Sequence, residues 1–221
     1  MHLSFNCPIH GRIERHFVES DDYLIDSDTT GRVEVGCVIA ASTIRDGKQA
    51  YVLAKKSPKP GYIYSGMWVL PGGMTRIRQS TVDSDILAIR AVERLQSEVN
   101  LSVPSQALSP IHEVPPVTEY RIEATGKDCV VMVLAFALPT IPDLLATARP
   151  SHHSVDAVRV ADPLPLLHTV APANRVILAR LLWSQLTDFE QNSIKDTVRE
   201  ALDGGNTIAM RVGFPIIHPW F

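Results

Sequence analysis

The chain has 221 residues, 45% of them hydrophobic, and a formal net charge of −3, enough for one well-formed core with an extension. This charge balance provides no basic surface, so nucleic acid is not the expected partner. Cys7, Cys37 and Cys129 are too scattered for a disulfide framework and favour a reducing cytoplasm. The first residues lack a signal-peptide pattern, and no apolar run reaches the roughly 18 residues that span a bilayer, so no membrane is expected.

Residues 1 to 30 are polar and are predicted to form an N-terminal extension. Within them, Cys7-Pro8-Ile9-His10 has the spacing of half a zinc site. A structural zinc ion needs about four ligands, and the chain offers no second pair at similar spacing. An ordinary turn is therefore the favoured interpretation.

A hairpin follows the extension. Residues 32 to 41 read as a buried strand, Asp46-Gly47 as a tight turn, and residues 51 to 54 as the return strand. Residues 55 to 61 form a basic, proline-containing loop that includes Lys55 and Lys56. These lysines are either part of a solvated loop or face an anionic ligand.

A third strand begins at Trp68 and ends in a Pro71-Gly72-Gly73 turn, where glycine allows a close approach of backbone. A long amphipathic helix then begins near residues 81 to 85. Asn100 is placed to end it in the left-handed conformation. Its predicted buried stripe is Ile89, Val92, Leu95 and Val99. Its opposite stripe is Arg94, Ser97 and Glu98, on which Arg94 and Glu98 have the spacing of a solvated ion pair.

The second half of the chain predicts another hairpin, a short strand and two helices. The hairpin comprises residues 117 to 124 and 129 to 138, and the strand residues 155 to 160. His152-His153 lies in the loop between the hairpin and this strand. The helices are predicted at 173 to 186 and 188 to 202, with Gly204-Gly205 as the stop, followed by a strand at 207 to 212 and an apolar tail ending in Trp220-Phe221.

The Trp68-Val69-Leu70-Pro71-Gly72-Gly73 segment and the helix ending in Glu98-Val99-Asn100-Leu101 resemble the Nudix family. That family has the box G-x5-E-x7-R-E-U-x-E-E-x-G-U after a W-x-x-P-G-G strand. The resemblance places Asp85 on the first box acid and Glu98 on the last glutamate, and it extends over residues 32 to 186. It implies an α+β fold, a Nudix-like α/β/α sandwich with a mixed sheet. The expected parts are an extension at 1 to 30, the Nudix-like domain at 31 to 186, and a C-terminal helix and tail at 187 to 221 packed on the same domain or on a partner subunit.

The chain departs from the box at several positions. Twelve positions separate Gly73 from Asp85, six more than the box allows. The Arg-Glu pair appears reversed as Glu93-Arg94. The first of the paired glutamates is Ser97, and the box glycine is Asn100. Of the helix stripe that supplies metal ligands in the family, one carboxylate is left.

The resemblance implies a hydrolase of a nucleoside-diphosphate-linked compound that uses Mg²⁺, with Mn²⁺ as an alternative ion. Glu98, Gly73 and Asp85 would be the metal site. The substrate-binding residues would be Lys55, Lys56, Arg94, Trp68 and Gly72. Mg²⁺ is often held by one or two carboxylates together with substrate phosphates, so one carboxylate permits a one-metal site.

Within the family, the segment Glu93-Arg94-Leu95 with the later Glu98 is most similar to the GDP-mannose mannosyl hydrolases. The segment from Val170 to Arg175 is also similar to a late segment of theirs. Those enzymes attack the sugar carbon and use a late-loop histidine as general base. The resemblance gives that role to His152 or His153 and suggests a nucleotide sugar as substrate.

Two other functions stay open. The loss of box acids, with Arg94 on the metal stripe, favours a catalytically inactive module that binds a nucleotide or nucleotide sugar, since a guanidinium suits a phosphate without any metal. The C-terminal helices and apolar tail favour an assembly role, with a homodimer as the expected form.

Overall fold

The structure, a computed structural model, describes residues 2–7, 11–20, 23–26, 32–59, 64–75, 84–111, 114, 117–122, 128–140 and 142–210. The strands are β1 His2–Cys7, β2 Gly11–Ser20, β3 Tyr23–Asp26, β4 Arg32–Arg45, β5 Lys48–Lys56, β6 Trp68–Val69, β7 Gly72–Thr75, β8 Ser109–Pro110, β9 Val117–Ile122, β10 Asp128–Pro139 and β11 Val155–Ala161. The helices are α1 Ser84–Val99, α2 Pro142–Leu145, α3 Pro172–Trp183 and α4 Asp188–Met210, with 3-10 helices at Ser105–Ala107 and Leu164–Thr169.

Strand β4 is the centre of a mixed sheet. One edge of β4 pairs with β10 in parallel, from Arg32 opposite Cys129 to Ser42 opposite Pro139. The other edge pairs in antiparallel fashion with β3, then β7, then β5. Strand β9 adds to β10, and β6 and β11 add to β5. Both predicted hairpins are confirmed, and residues read from sequence as a polar extension contribute strands to this sheet.

The alternation of side chains along β4 divides the core between the two faces of the sheet. Cys37, Ile39 and Ala41 pack in the cluster that contains the buried residues of α1. Val38 and Ala40 point the other way and pack with α3 and α4. Because successive side chains of a strand point to opposite faces, a continuous apolar run is what a strand covered on both sides requires.

These layers confirm the predicted fold class. The protein is α+β, with a mixed sheet between α1 on one face and α3 on the other, and α4 packs against α3 as the C-terminal helix. None of the described helices is long and apolar enough to cross a membrane.

The predicted hairpin turn and the predicted end of the first long helix are both confirmed. Asp46 and Gly47, at the tip of the β4–β5 hairpin, have φ angles of 53° and 74°. Asn100 has a φ of 60° directly after α1, and its N–H donates to the Gln96 carbonyl at 3.0 Å. Asparagine adopts this left-handed conformation more readily than most residues, so it can end the helix where the family has glycine.

The predicted buried stripe of α1 is correct for Leu95 and Val99, which are fully buried, and wrong for Ile89. Ile89 is 48% exposed and lines an open groove of about 430 Å³. Relative to the predicted stripe, the helix is rotated about its axis so that Ala88 and Ala91, and not Ile89, face the sheet in its first turns. Among the side chains of α1 that the structure describes, from residue 87 on, the buried ones are Leu87, Ala88, Ala91, Leu95, Glu98 and Val99.

The prediction that Gly204-Gly205 stops the last helix is wrong, as is the strand predicted after it. Helix α4 continues to Met210. At Gly204 an added Cβ would lie 3.4 Å from the Arg175 guanidinium, an ordinary van der Waals contact, so this position of α4 lies beside a side chain from α3. Glycine weakens a helix by roughly 1 kcal/mol but does not by itself end it. The apolar tail and most of the Cys7–His10 segment lie outside the described residues.

A capping box begins α4, and it makes the stability of this helix depend on pH. The Glu190 carboxylate accepts hydrogen bonds from the Thr187 backbone N–H at 2.9 Å and from its hydroxyl at 2.7 Å. These bonds hold the pKa of Glu190 below its ordinary value of 4.5. A carboxyl whose pKa is lowered by folding stabilises the fold above its unfolded pKa, and that contribution is lost as the pH falls through the folded pKa.

We therefore expect Glu190→Gln to remove part of the loss of stability that the wild-type chain shows between about pH 5 and pH 3. The measurement is the melting temperature of both proteins across that range. Glu200→Gln, at another exposed position of α4, is the matched control and should keep the wild-type pH dependence. An identical pH dependence in the Glu190 and Glu200 variants would contradict the role of the capping box.

Candidate functional site

The turn after β6 is held from two sides. The Leu70 N–H donates to the side-chain oxygen of Asn174 on α3 at 2.8 Å. The Pro71 carbonyl accepts the N–H of Ile39 on β4 at 2.9 Å. Both partners are remote in sequence, so the tertiary structure sets the position of this turn.

Gly72 is required here by the backbone of β4. Its φ is 146°, and an added Cβ would lie 2.1 Å from the carbonyl oxygen of Cys37. Any side chain would therefore collide with the neighbouring strand. Gly73 follows in β7, where it pairs with Cys37. The close approach predicted for these glycines is thus an approach to the sheet, while the Gly72 N–H remains directed at α1.

Glu98, in the last turn of α1, receives that N–H. Glu98 as a whole residue is only 4% exposed. One carboxylate oxygen lies 3.3 Å from the Gly72 nitrogen, and the other accepts a hydrogen bond from the Lys56 ammonium at 2.7 Å. The side chains of Lys56 and Glu98 are 13% and 6% exposed. A charge this well buried requires a partner, and Lys56 supplies it.

This contact corrects the predicted placement of the lysines. Lys55 and Lys56 are the last residues of β5 and do not lie in the loop after it. Lys56 points to the α1 face, in step with Val52 and Ala54, which pack in the α1 cluster. Lys55 has the opposite parity and pairs with Trp68 of β6. The strand alternation therefore separates the two lysines that the sequence interpretation placed together.

Trp68 lies with the α3 layer. It packs against the cluster that contains α3 and α4, and the guanidinium carbon of Arg159 lies 5.5 Å from its ring centroid. This is the geometry of a cation–π contact. Trp68 is thus half-buried scaffold on the opposite face of the sheet from Glu98.

Arg94 is exposed, one turn before Glu98 on α1. The ion pair that its spacing suggested is not formed, because Glu98 faces the sheet and bonds to Lys56. The Ser97 hydroxyl donates to the Arg94 carbonyl at 3.1 Å. The helix therefore presents a guanidinium and a hydroxyl outside the site and one carboxylate inside it.

The loop that contains His152 and His153 is fastened beside the end of α1. The Ser151 N–H donates to the Glu98 carbonyl at 3.1 Å, and the Arg149 N–H donates to the Val99 carbonyl at 3.0 Å. At the other end of the loop, the Ser57 N–H, next to Lys56, donates to the Ser154 carbonyl at 2.9 Å. The structure thus brings the predicted histidines to the same end of the sheet as Glu98 and Lys56.

The two histidines differ in what their ring nitrogens can do. The Ser154 N–H lies 3.2 Å from Nδ1 of His152, and the Ser154 hydroxyl lies 2.8 Å from the same atom. A backbone N–H can only donate, so Nδ1 of neutral His152 is the acceptor and the proton is on Nε2. His153 is exposed, with its ring centroid 4.0 Å from that of His152. His152 is therefore fixed as an Nε2 donor, while His153 faces solvent.

Of the three predicted metal residues, Asp85 and Glu98 lie too far apart to share one ion, whereas Gly73 follows Gly72, whose nitrogen lies 3.3 Å from Glu98. Asp85 is in the first turn of α1, 13 residues before Glu98. At 1.5 Å per residue the two positions are about 20 Å apart along the helix, too far to ligate the same ion. In the part of the chain that the structure describes, no group of three His, Cys, Asp or Glu side chains could hold a metal.

The donor set around Glu98 is consistent with one kind of metal site. It offers a single carboxylate whose oxygens already accept two N–H donors. This is insufficient for an ion held by protein alone, which needs about six oxygen ligands. It suffices for an ion held mainly by the phosphates of a bound substrate, provided that the Lys56 ammonium yields its place.

Sequence interpretation missed two residues of this site. Asn174 fixes Leu70, and Ser154 fixes the His152 ring. The segment that contains Asn174 was noted only for a resemblance, and no local pattern marks an amide that accepts a bond from 104 residues away. The Ser two residues after His152 is a local signal that could have been used.

No protein-family profile matches the chain, and no curated protein sequence matches it. Solved structures do match. The Nudix domain of Shewanella oneidensis NrtR, complexed with ADP ribose, is 17% identical, with a TM-score of 0.47 over 70% of this chain and 88% of that chain. A Caenorhabditis elegans Ap4A hydrolase binary complex is 18% identical, with a TM-score of 0.47 over 69% and 96%. A MutT protein from Methanosarcina mazei is 16% identical, with a TM-score of 0.44 over 70% and 95%. Identities and TM-scores this low do not assign the chain to a family or an activity.

Proposed function

We propose that the chain is a Nudix-type hydrolase of a nucleoside-diphosphate-linked compound. The observation that carries the proposal is the convergence of Gly72, Lys56 and Glu98, which places a buried carboxylate and an ammonium at the turn that follows the W-x-x-P-G-G strand. The sequence resemblance identifies this turn and the end of this helix as the place of chemistry. A site that combines one negative and one positive group can bind both a cation and a diphosphate.

In this proposal Glu98 is the protein ligand of Mg²⁺ or Mn²⁺. Held there by Glu98, the ion would supply positive charge to neutralise a diphosphate and would orient a water. Lys56 would leave Glu98 and pair with a phosphate oxygen, since an ammonium on a flexible stem can move between two anions. Gly72 would keep its N–H on Glu98 and hold the carboxylate in orientation.

The histidine loop would supply proton transfer. His153 is exposed and is our choice as general base. His152 would donate a hydrogen bond from Nε2, because its Nδ1 already accepts bonds from Ser154. Arg94, exposed beside the site, would attract the anionic substrate. The test of these roles is the identity of the product, which distinguishes attack at carbon from attack at phosphorus.

The first experiment is a product assay. The pure protein is incubated with ADP-ribose, Ap4A, GDP-mannose, other nucleotide sugars and nucleoside triphosphates, each with Mg²⁺, with Mn²⁺ and with a chelator. Free sugar plus nucleoside diphosphate would indicate attack at the sugar carbon, as in the mannosyl hydrolases. Nucleoside monophosphate would indicate attack at phosphorus. No product from any compound would contradict the proposal.

One observation favours a second function, the metal-independent binding of a nucleotide. Both oxygens of Glu98 are engaged by Lys56 and Gly72, so the site is already neutralised without an ion. Calorimetry with ADP-ribose or GDP-mannose, with Mg²⁺ and with a chelator, separates the two. Equal affinity in chelator, without turnover, would support a binding module. Binding that requires the ion would count against it.

We also propose that the chain has three parts: an extension at 1 to 30, a Nudix-like domain at 31 to 186 and a C-terminal part at 187 to 221. The contacts of α4 with α3 support packing of the C-terminal part on the same domain. We also propose a cytoplasmic homodimer. A monomeric mass in solution would contradict the dimer.

A further inference from the structure

Arg175, near the start of α3, is the most deeply buried charged side chain that the structure describes, at 1% exposure. Its guanidinium bonds to backbone carbonyls. Nε donates to Val170 at 3.1 Å, and Nη2 donates to Val170 at 2.8 Å and to His168 at 2.9 Å. Nη1 donates to the carbonyl of Ala201 on α4. Burial lowers the pKa of Arg175 to about 10, which leaves it charged at neutral pH.

These bonds join three segments. Val170 and His168 belong to the stretch that leads into α3, and Ala201 belongs to α4. Gly204 of α4 lies against the same guanidinium, where an added Cβ would be 3.4 Å from Nη1. The fork of an arginine, with its five N–H donors, is the side chain that can satisfy several carbonyls at once. Arg175 therefore fastens α4 to the beginning of α3.

The beginning of α3 is in turn fastened to the strand before the glycine turn. The Ala171 N–H donates to the Trp68 carbonyl at 2.9 Å. Asn174 accepts the Leu70 N–H at 2.8 Å. Two residues later, the Gly72 N–H lies 3.3 Å from Glu98. Hydrogen bonds, joined by short stretches of backbone, thus connect α4 to the buried carboxylate.

We propose that Arg175 and Asn174 are positioning residues of the site, through which α4 holds the Leu70–Gly72 turn against Glu98. The inference rests on the proposed function only in taking this turn as the functional site. It makes α4, which lies beyond the part that resembles the Nudix family, a component of the site. Neither residue touches the reacting groups, so the effect of each is on the geometry of the turn.

The test is amide hydrogen exchange of the free, full-length protein, measured by NMR at Leu70 and Gly72, with amides of β10 as the internal reference. Asn174→Ala removes the acceptor of the Leu70 N–H, and we expect exchange at Leu70 to become about tenfold faster, the effect of losing one hydrogen bond. Exchange at Gly72 should rise several-fold. Asn174→Asp keeps an acceptor at the start of α3 and should restore slow exchange.

Two variants test the step from α4. Arg175→Met removes the guanidinium, and Gly204→Leu adds a branched side chain at an exposed position of α4 whose Cβ would be in van der Waals contact with Nη1. Both should speed exchange at Leu70 and Gly72. Because Arg175→Met can fail to fold, Gly204→Leu is the decisive variant for this step.

Gln191→Ala is the matched control. Gln191 also joins α4 to α3, through the Trp183 carbonyl at 3.0 Å, but at the other end of α3. It should lower the melting temperature without changing exchange at Leu70 and Gly72. The proposal is overturned if Gly72 is unchanged in Asn174→Ala, if Gly204→Leu has no effect on the turn, or if Gln191→Ala speeds exchange there equally. These results do not depend on turnover, so failure of the proposed hydrolase would remain distinguishable.

Discussion

Replacing Glu98 with glutamine is expected to reduce the proposed hydrolysis at least about a hundredfold, because the variant loses the only carboxylate that the described residues place at the turn. A metal ion stabilises the charge of the transition state by several kcal/mol, and each 1.36 kcal/mol corresponds to a factor of ten in rate. Glutamine has the same shape and can still accept the Gly72 N–H, so the turn keeps its orientation. The measurement is the initial rate of product formation with the substrate found in the compound panel.

Glu98→Gln leaves Lys56 without its anionic partner, so some loss of stability is expected together with the loss of turnover. Rates are therefore compared well below the melting temperature of the variant. The matched control is Glu93→Gln, which makes the same chemical change on the same helix at a residue whose side chain is 54% exposed. Wild-type rates are expected for Glu93→Gln. Wild-type turnover in Glu98→Gln would exclude Glu98 as the metal ligand.

Lys56→Met is expected to destabilise the fold by about 3 kcal/mol or more, since it leaves the Glu98 carboxylate buried without a counterion. For a chain of this size, that loss lowers the melting temperature by roughly 10 °C. The physical reason is the burial of the pair. The two side chains are only 13% and 6% exposed, so little water is available to solvate the Glu98 carboxylate in place of the ammonium. The measurement is thermal and urea unfolding of the variant.

A double-mutant cycle isolates the pair. Lys56→Met, Glu98→Met and the double variant give its coupling free energy, and the double variant should be more stable than the sum of the single losses predicts. The control cycle uses Arg90 and Glu93, an ion pair on the surface of α1 at 2.7 Å with both side chains 54% exposed. Its coupling should be at most about 0.5 kcal/mol. Equal coupling in the two cycles would contradict a buried pair.

The two predictions separate the functions of the same contact. If Lys56 leaves Glu98 for a phosphate, Lys56→Met should also weaken binding of a diphosphate ligand, so addition of the ligand should increase the loss of stability that Lys56→Met causes relative to wild type. If the pair is retained in the complex, the ligand should leave that difference unchanged. Melting temperatures with and without ADP-ribose and Mg²⁺ measure this directly.

Much of the fold follows from local patterns in the sequence. The apolar run before Asp46, the Asp46-Gly47 turn and the apolar run after it predict a hairpin, and the structure has one. Asn100 predicts the end of α1, and its φ of 60° confirms it. These predictions succeed because turn and cap conformations depend on a few neighbouring residues. Gly204 shows the limit, since the glycine predicted to stop the last helix lies inside α4, which continues to Met210.

The candidate site divides differently. The sequence by itself indicated three parts of the candidate site: the turn at Gly72, the carboxylate of Glu98, and the two histidines of a late loop. It could not determine the partner of Glu98, because Arg94 at four residues and Lys56 at 42 residues were both available. The rotation of α1 and the register of β5 decided for Lys56 and directed Lys55 to the opposite face of the sheet.

The same reason explains Asn174 and Arg175. Their hydrogen bonds join residues that the chain separates by 104 and by 26 positions, and no periodicity of a strand or helix encodes a bond over such distances. The sequence determined the two central hairpins, the glycine turn, the end of α1 and the residue types of the site. The tertiary structure alone decided which charge neutralises Glu98 and which residue of α3 bonds to the turn, because these contacts depend on how separately formed elements pack.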